Sequence, residues 1–526
     1  MLRKTLLFIS CLYLTACSTQ SKSQSTLRLN LGSDISTLDP RQAADNYNYI
    51  AVSLLYDGLF RIGPDQKPHF AICENYSVSE DQTIYTFCLR KAKWANGKLI
   101  TAQDFAYSWL TSLNPLNPSP NAYQLFMIKN ANEYFANRAN EEDVGICVID
   151  DMTLQVTLNH PTPFFIEILC NPPFYPVNSH AAKMDANWHK RLSKLDLTNG
   201  PFKLKTWVPN DRLVFEKSPL YWDKKHISLN RIEFSMIEDA NTELQLFEKG
   251  ELDWAGGPIS QSLPLASIET LKKRHLLQNS DPYTVSWLLF NTTQKPFDHK
   301  KFRRAFSLSL NRKELMEFAK LQNNFLPQSL FPPLMSLGKH YFEDADTQQA
   351  KQLFQEALEE SNLTKETLPT ITIHCPSSED VQKLVEIVQQ QWEKTFDISI
   401  KLEKVDWPVY MSLLQQRQFN VGFISWAPEY DDLYYFLNIF KSKENTLNFP
   451  GWENKTFKAL LDIASAATNT SLRKDLLKRA ETIISNEMPM TPTYYRGDDF
   501  VVNPQLKGFY FTHIGNLELA YSYFEQ

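Results

Sequence analysis

The chain has 526 residues, beyond the ~250–300 at which a single hydrophobic core stops growing, so two or three domains are expected. With 43% hydrophobic and 13% aromatic residues it is too apolar for a disordered chain. A formal net charge of −6 excludes the basic footprint of a nucleic-acid binder.

In chain order, Arg3 and Lys4 precede a short apolar stretch over residues 6–13, too short to span a bilayer. It ends in Leu14-Thr15-Ala16-Cys17, which resembles a bacterial lipobox. The expectation is a signal peptide over 1–16, cleaved before Cys17, whose thiol takes a diacylglycerol. That anchors the protein to a membrane of a Gram-negative envelope, facing the periplasm. Ser18 after the lipid-bearing Cys leans towards the outer membrane. Residues 17–26 are polar and read as a flexible tether. Residues 27–31 then alternate as a half-buried strand should.

Seven cysteines are present. Beyond Cys11 and Cys17, the remaining Cys73, Cys88, Cys147, Cys170 and Cys375 are odd in number, so at least one thiol is unpaired. Cys73 and Cys88 lie in strand-like runs that can sit side by side, and a disulfide between them is the expected pair. Asn96-Gly97 reads as a hairpin turn. Thr101 reads as the N-cap of a helix over 102–113, with Asp104 completing a capping-box-like start. Phe87, Leu89 and Trp94 read as core.

Residues 368–427 carry the clearest pattern. Ile371 and Ile373 alternate with Thr, and Ser378-Glu379-Asp380 offers a cap and an acidic first turn. Val381, Leu384, Val385, Val388 and Trp392 follow at helical spacing. Ile398, Ile400 and Leu402 alternate again, 407–416 forms a second helix, and 419–426 is an apolar strand. This βαβαβ run predicts a parallel sheet, whose ligands bind beyond the carboxyl ends of the strands. The loop after Trp426, carrying Glu429, Tyr430, Asp431 and Asp432, is therefore the candidate site.

No catalytic motif accompanies it. The ten histidines include no HExxH pair, and GxSxG, Walker A and GxGxxG are absent. His374 and Cys375 are neighbours on one strand and point to opposite faces, which argues against a nucleophile pair. An enzyme is not expected, nor a cofactor or metal. A peptidase and an adhesion or holdase lipoprotein remain the alternatives of other classes.

Several segments carry a resemblance. The stretch Ile84-Tyr85-Thr86-Phe87-Cys88-Leu89-Arg90-Lys91-Ala92-Lys93-Trp94-Ala95-Asn96-Gly97, followed by Leu99-Ile100-Thr101-Ala102-Gln103-Asp104-Phe105, resembles the signature of the oligopeptide/dipeptide/nickel family of extracellular solute-binding proteins. Leu38-Asp39-Pro40, Tyr56-Asp57-Gly58-Leu59, Thr198-Asn199-Gly200-Pro201-Phe202, Ser218-Pro219-Leu220-Tyr221-Trp222, Lys249-Gly250-Glu251-Leu252-Asp253 and Phe302-Arg303-Arg304-Ala305-Phe306 fall in the family's order. The resemblance implies an α/β, periplasmic-binding-protein-like fold of type II, with two lobes closing on ligand plus an extra domain. By that likeness residues 27–56, 181–283 and 496–526 form lobe I, 57–180 the extra domain II, and 284–495 lobe III. It further implies a monomer that captures oligopeptides and delivers them to an inner-membrane ABC permease. Murein-derived peptides or a nickel complex are the alternatives within the family.

Carried over position by position, the resemblance puts the amine-binding carboxylate at Glu429, where the family usually has Asp. Trp407 and Trp426 match pocket tryptophans. Asp431 and Asp432 are rivals for the amine if the loop folds differently, and Tyr123, Trp287, Tyr430 and Asn46 are further pocket candidates by position. The family's ligand-carboxylate partners fall on Ala44, Phe290, Val381, Leu414 and Phe423, none of them charged, with Arg417 or Lys383 as substitutes. A disulfide of some relatives is missing, because Val285 and Ala427 occupy its positions.

Overall fold

The computed structural model describes residues 25–43, 45–321, 325–338 and 340–525. The expected signal segment, Cys17 and Ala44 lie outside the described residues. The chain enters as strand Thr26–Asn30, with Leu27 and Leu29 wholly buried and Arg28 paired with Asp253 at 2.9 Å. This strand runs parallel to Arg231–Ser235. The antiparallel strands Arg212–Lys217 and Phe202–Val208 complete a four-stranded sheet.

A second four-stranded sheet is antiparallel throughout, in the order Cys73–Val78, Ile84–Leu89, Thr153–Thr157, Ile146–Asp150. Helix Ala102–Ser112 packs against it. Asn96-Gly97 makes the expected turn, with Gly97 at φ +88°, where a side chain would be strained. The capping box forms as read. Asp104 does more than cap, however, because it is almost fully buried and gathers several hydrogen bonds. Its donors include Thr101 N at 3.0 Å, Trp94 Nε1 at 3.2 Å, Ser179 N at 2.9 Å and Ser179 Oγ at 2.7 Å. One carboxylate thus joins the signature tryptophan, the helix start and a segment some 75 residues downstream.

The expected Cys73–Cys88 disulfide is corrected: both are free thiols. Their strands are neighbours, but the register sets Cys73 opposite Leu89 and Cys88 opposite Asn75. Leu89 and Cys88 point to opposite faces of the sheet. Cys73 therefore faces the core, where burial pushes its thiol up to about 12, while Cys88 faces outward.

The third sheet bears out the clearest sequence pattern. Ile371–Pro376 and Ile400–Val405 are parallel neighbours, and Ile371–Pro376 also pairs in parallel with Val421–Trp426. Helix Glu379–Phe396 starts at Ser378 and buries Leu384, Val385, Val388 and Trp392. Helix Trp407–Gln415 returns the chain. The sheet as a whole is mixed, since Thr284–Phe290 and Met490–Arg496 extend it antiparallel. A long-range partner set this: Thr284–Phe290 enters from outside the βαβαβ run.

Two large hydrophobic cores result. One unites both four-stranded sheets and closes with Phe500, Leu506, Leu517 and Leu519 near the C-terminus. The other surrounds the five-stranded sheet and takes in one distant residue, Phe164. The chain crosses between them at Ser280–Thr284 and again at Arg496–Asp499.

Replacing Asp104 with Ala leaves these donors in the protein interior without an acceptor. We expect Asp104→Ala to destabilise the protein by about 3 kcal/mol, with Asp104→Asn milder because one acceptor oxygen survives. Urea unfolding followed by tryptophan fluorescence measures both.

Candidate functional site

The three parallel strands end at Pro376, Val405 and Trp426, on one edge of the third sheet. Val421–Trp426 is buried for four residues and then emerges, with Ser425 exposed and bonded to Ser286 Oγ at 2.7 Å. The loop that follows is pinned at its far end. Asp432 caps helix Leu433–Ile439 by accepting from Tyr434 N at 2.7 Å. It also binds Arg473 through both oxygens, at 2.6 and 3.1 Å. Asp432, a rival for ligand binding by sequence, is therefore committed to its own lobe.

The rest of the loop faces other parts of the chain. Glu429 accepts a hydrogen bond from the Tyr123 hydroxyl, and its backbone oxygen accepts from Asn171 Nδ2 at 2.9 Å. Tyr430 stacks on Phe164 with centroids 4.5 Å apart and planes within 9°, a packing arrangement that adds to simple area burial. Phe164 also stacks against Tyr434 at 5.9 Å. Asp431 Oδ2 lies 2.7 Å from His513 Nδ1.

Burial raises the Glu429 carboxyl above its usual range, against the opposing hydrogen bond from Tyr123. Tyr123 rises as well, through burial first and the Glu429 charge second. Glu167, nearby, is raised by burial and by the charges of Asp432 and Asp431. Buried carboxylates of this kind favour a cationic partner.

Glu429 lines a cleft of about 190 Å³ together with Asn46, Asn121, Tyr123, Asn171 and Asn516. A smaller chamber of about 80 Å³ adjoins it across Asn171 and Ile514, and is lined by Gln66, Glu167, Tyr430, Asp431 and His513. A larger groove of about 650 Å³ beside Thr26, Lys217 and Arg231 is open to solvent and remote from this loop. Its ions are satisfied locally: Lys217 binds Ile227 O and Arg231 binds Glu233.

Among the residues read from sequence, the structure gathers Glu429, Tyr123 and Asn46 around the cleft of about 190 Å³, and Tyr430 and Asp431 around the adjoining chamber. Trp426 ends the strand that leads into this loop and does not line the cleft; its Nε1 donates to the Tyr435 hydroxyl at 3.0 Å. Trp407 opens the helix after Val405, on the same carboxyl edge, and is 54% exposed. Trp287 is elsewhere. It is 1% exposed, donates to Leu330 O at 2.6 Å and packs on Phe331, Phe436 and Phe440. It is a core residue of the third sheet.

Three of the positions matched to the family's ligand-carboxylate partners do not reach the cleft. Phe290, Leu414 and Phe423 are buried core. Neither substitute cation is brought to the cleft: Arg417 donates to Lys443 O and Asn448 O, and Lys383 pairs with Glu379 one helical turn away. Phe164, Asn171, Tyr435 and His513 were not legible as site residues, because each is brought in by tertiary packing from a segment with no pattern of its own.

Among the described residues, no helix is long and apolar enough to cross a membrane. Residues 67–448 match the model of the bacterial extracellular solute-binding proteins, family 5 Middle. The chain is 34% identical to the oligopeptide-binding protein OppA of Bacillus subtilis, covering 99% of this chain and 98% of that one. It is 30% identical to the dipeptide-binding protein DppE of the same organism, over 96% and 92% of the two chains. In fold it is similar to the murein tripeptide-binding protein MppA in its unliganded open form, with a TM-score of 0.80, 24% identity, and 95% and 97% coverage. The fold is thus the α/β, type II periplasmic-binding arrangement, on the extracellular or periplasmic side of the membrane. With most of its length under the family model and its full length shared with such relatives, the chain belongs to the family 5 bacterial extracellular solute-binding proteins.

Proposed function

We propose that the protein captures peptides in the cleft between its lobes and presents them to an ABC permease, held to the membrane by a lipid on Cys17. The observation that carries the peptide reading is Glu429. It is a desolvated carboxylate whose hydrogen-bond donor among the described residues is a neutral phenol, at the mouth of a strand edge, in a family of solute binders. A peptide ammonium supplies the missing positive charge. The exposed end of Val421–Trp426 offers backbone groups to an extended ligand, which gives affinity without sequence preference. The lobes are assigned as 27–56 with 181–283 and 496–526 for the first, 57–180 for the extra domain, and 284–495 for the third. Because the first lobe and the extra domain share one continuous core, we take them to move as one body against the third.

Murein peptide is the second ligand reading. Neither Arg417 nor Lys383 reaches the cleft to act as a conventional carboxylate anchor, which favours a ligand with altered carboxylate contacts. Titration of the purified protein with tri-alanine and with murein tripeptide separates the two. If both give a Kd weaker than about 1 mM, a binding free energy of only ~4 kcal/mol, the peptide reading fails. Mass spectrometry under native conditions identifies any ligand carried through purification, and labelling with a radioactive fatty acid, abolished by Cys17→Ala, tests the anchor.

Glu429→Gln keeps the shape and the Tyr123 contact but removes the charge. It should weaken peptide binding by ~10–200-fold, the range for a charge-assisted hydrogen bond of about 1.5–3 kcal/mol. N-acetylation of the peptide should have a similar effect and add little to the variant.

The pH dependence follows from the raised Glu429 carboxyl. Below that pKa the group is neutral and cannot pair with an ammonium. Affinity should therefore fall as pH drops through the elevated carboxyl pKa, and calorimetry of Glu429→Gln should show this acid limb abolished.

A further inference from the structure

We propose that His513 is a positioning residue for the Glu429 loop: through Asp431 it ties the third lobe to the first and makes closure over the cleft proton-dependent. This deepens the peptide reading above and rests on it for its biological meaning.

The geometry is built from both sides. His513 lies in the turn between strands Tyr510–Phe511 and Leu517–Glu518. The turn is closed by Thr512 N to Asn516 O at 2.8 Å and Gly515 N to Thr512 O at 2.9 Å. It is braced on the extra domain, since His513 N donates to Gln66 Oε1 at 2.8 Å and Gln66 Nε2 to Phe511 O at 3.0 Å. Gly515, at φ +86°, lies so close to the Tyr283 ring that a Cβ there would sit 2.3 Å from it. Tyr283 belongs to the segment crossing between lobes and donates to Asp498 Oδ2, on the return crossing, at 2.6 Å. The turn that carries His513 is thus seated on the hinge.

On the other side, Asp431 is two residues from Glu429 and next to Tyr430. The 2.7 Å contact between His513 Nδ1 and Asp431 Oδ2 spans the lobe junction. A rotation that carries Asp431 away from His513 breaks it. With it goes one of the restraints that keep Glu429 at the cleft, the others being Tyr123, Phe164 and Asn171 from the extra domain.

The groups around the pair are mainly acidic. Asp431 faces the ring directly, Asp281 approaches from the crossing segment, and Glu167 faces Asp431 from the extra domain. Asp432 is neutralised by Arg473, and the Tyr430 phenol rises far above neutrality through burial, so it stays uncharged. The His513 pKa is accordingly raised, first by the hydrogen bond to Asp431, against burial. The direction of the effect follows from linkage. A raised pKa in the closed form means closure is favoured below the ordinary histidine value of ~6.5, and that contribution is lost as pH rises through the raised value. Protonation strengthens closure by about tenfold for every pH unit by which the ring titrates higher in the closed form than in the open one.

Spin labels placed on the first and third lobes report closure without any ligand. Distance distributions are compared from pH 5.5 to 8.5 for the wild type, His513→Gln, Asp431→Asn and the double variant, with circular dichroism confirming the fold of each. In the wild type the closed fraction should fall several-fold as pH rises. Either single variant should remove that dependence, and the double should do no more than either alone. A His513→Gln protein that keeps the wild-type pH profile, or single effects that simply add, overturns the proposal. If one variant fails to fold, the other carries the test. NMR titration of the His513 ring gives a second readout, since its pKa should drop in Asp431→Asn. Repeating the distances with tri-alanine distinguishes the two claims. No response to peptide counts against the peptide reading alone, whereas pH-independent distances count against the latch alone. In binding assays the acid limb from Glu429 should survive in both His513 and Asp431 variants.

Discussion

Three carboxylates crowd into four residues, Glu429, Asp431 and Asp432, and the cleft depends on how each is compensated. Leaving an ion buried and unpaired costs several kcal/mol. The structure meets this with three partners from three places: Tyr123 of the short turn Ala122–Leu125, His513 of the C-terminal turn and Arg473 of helix Thr470–Glu487. The partners differ in strength. Arg473 holds Asp432 with two charged hydrogen bonds and fixes the loop in its own lobe. Tyr123 is neutral and leaves the Glu429 charge unbalanced. The loop is therefore rigid where it joins its lobe and electrostatically unfinished where a ligand enters.

The same arrangement accounts for how the lobes meet. Phe164 follows strand Thr153–Thr157 of the second sheet yet packs into the core around the five-stranded sheet, flanked by Tyr430 and Tyr434. At the crossing, Ser280 N donates to Asp498 O at 2.9 Å and Asp498 N to Ser280 Oγ at 2.8 Å. A Cβ on Gly497 would lie 2.4 Å from Ser280 O, so the two crossing segments touch backbone to backbone. So few crossing residues make a local hinge, and Phe164 is the buried core residue that movement between the two cores has to shift.

Much of this was legible in the chain. The run from Ile371 to Trp426 announced its strands and helices because each element buries one face against a neighbour from the same run, and periodicity records that directly. The Glu429 loop followed from where such strands end. Position by family likeness was less secure. It placed Tyr123 and Asn46 at the cleft but took Trp287 for a pocket residue, when its indole fills the core of the third lobe. A tryptophan on a buried strand looks the same in sequence whichever side it faces. The Cys73–Cys88 pairing failed for a related reason: adjacency of strands is readable, but a bulge in register, which sets the faces, is not.

What the sequence by itself determined is the architecture of the elements, the family and the acidic loop at a strand's carboxyl edge. Local propensity, apolar period and the order of short motifs along the chain are enough for these, since each is written in consecutive residues. What only the tertiary structure decided is which group answers each charge. Tyr123, Phe164, Asn171, His513 and Arg473 reach the loop from segments 41 to 306 residues away in sequence. Their meeting is set by how the cores pack, and the charge state of Glu429 and His513 depends on that packing because burial and neighbouring charge, rather than residue type, fix where a side chain titrates.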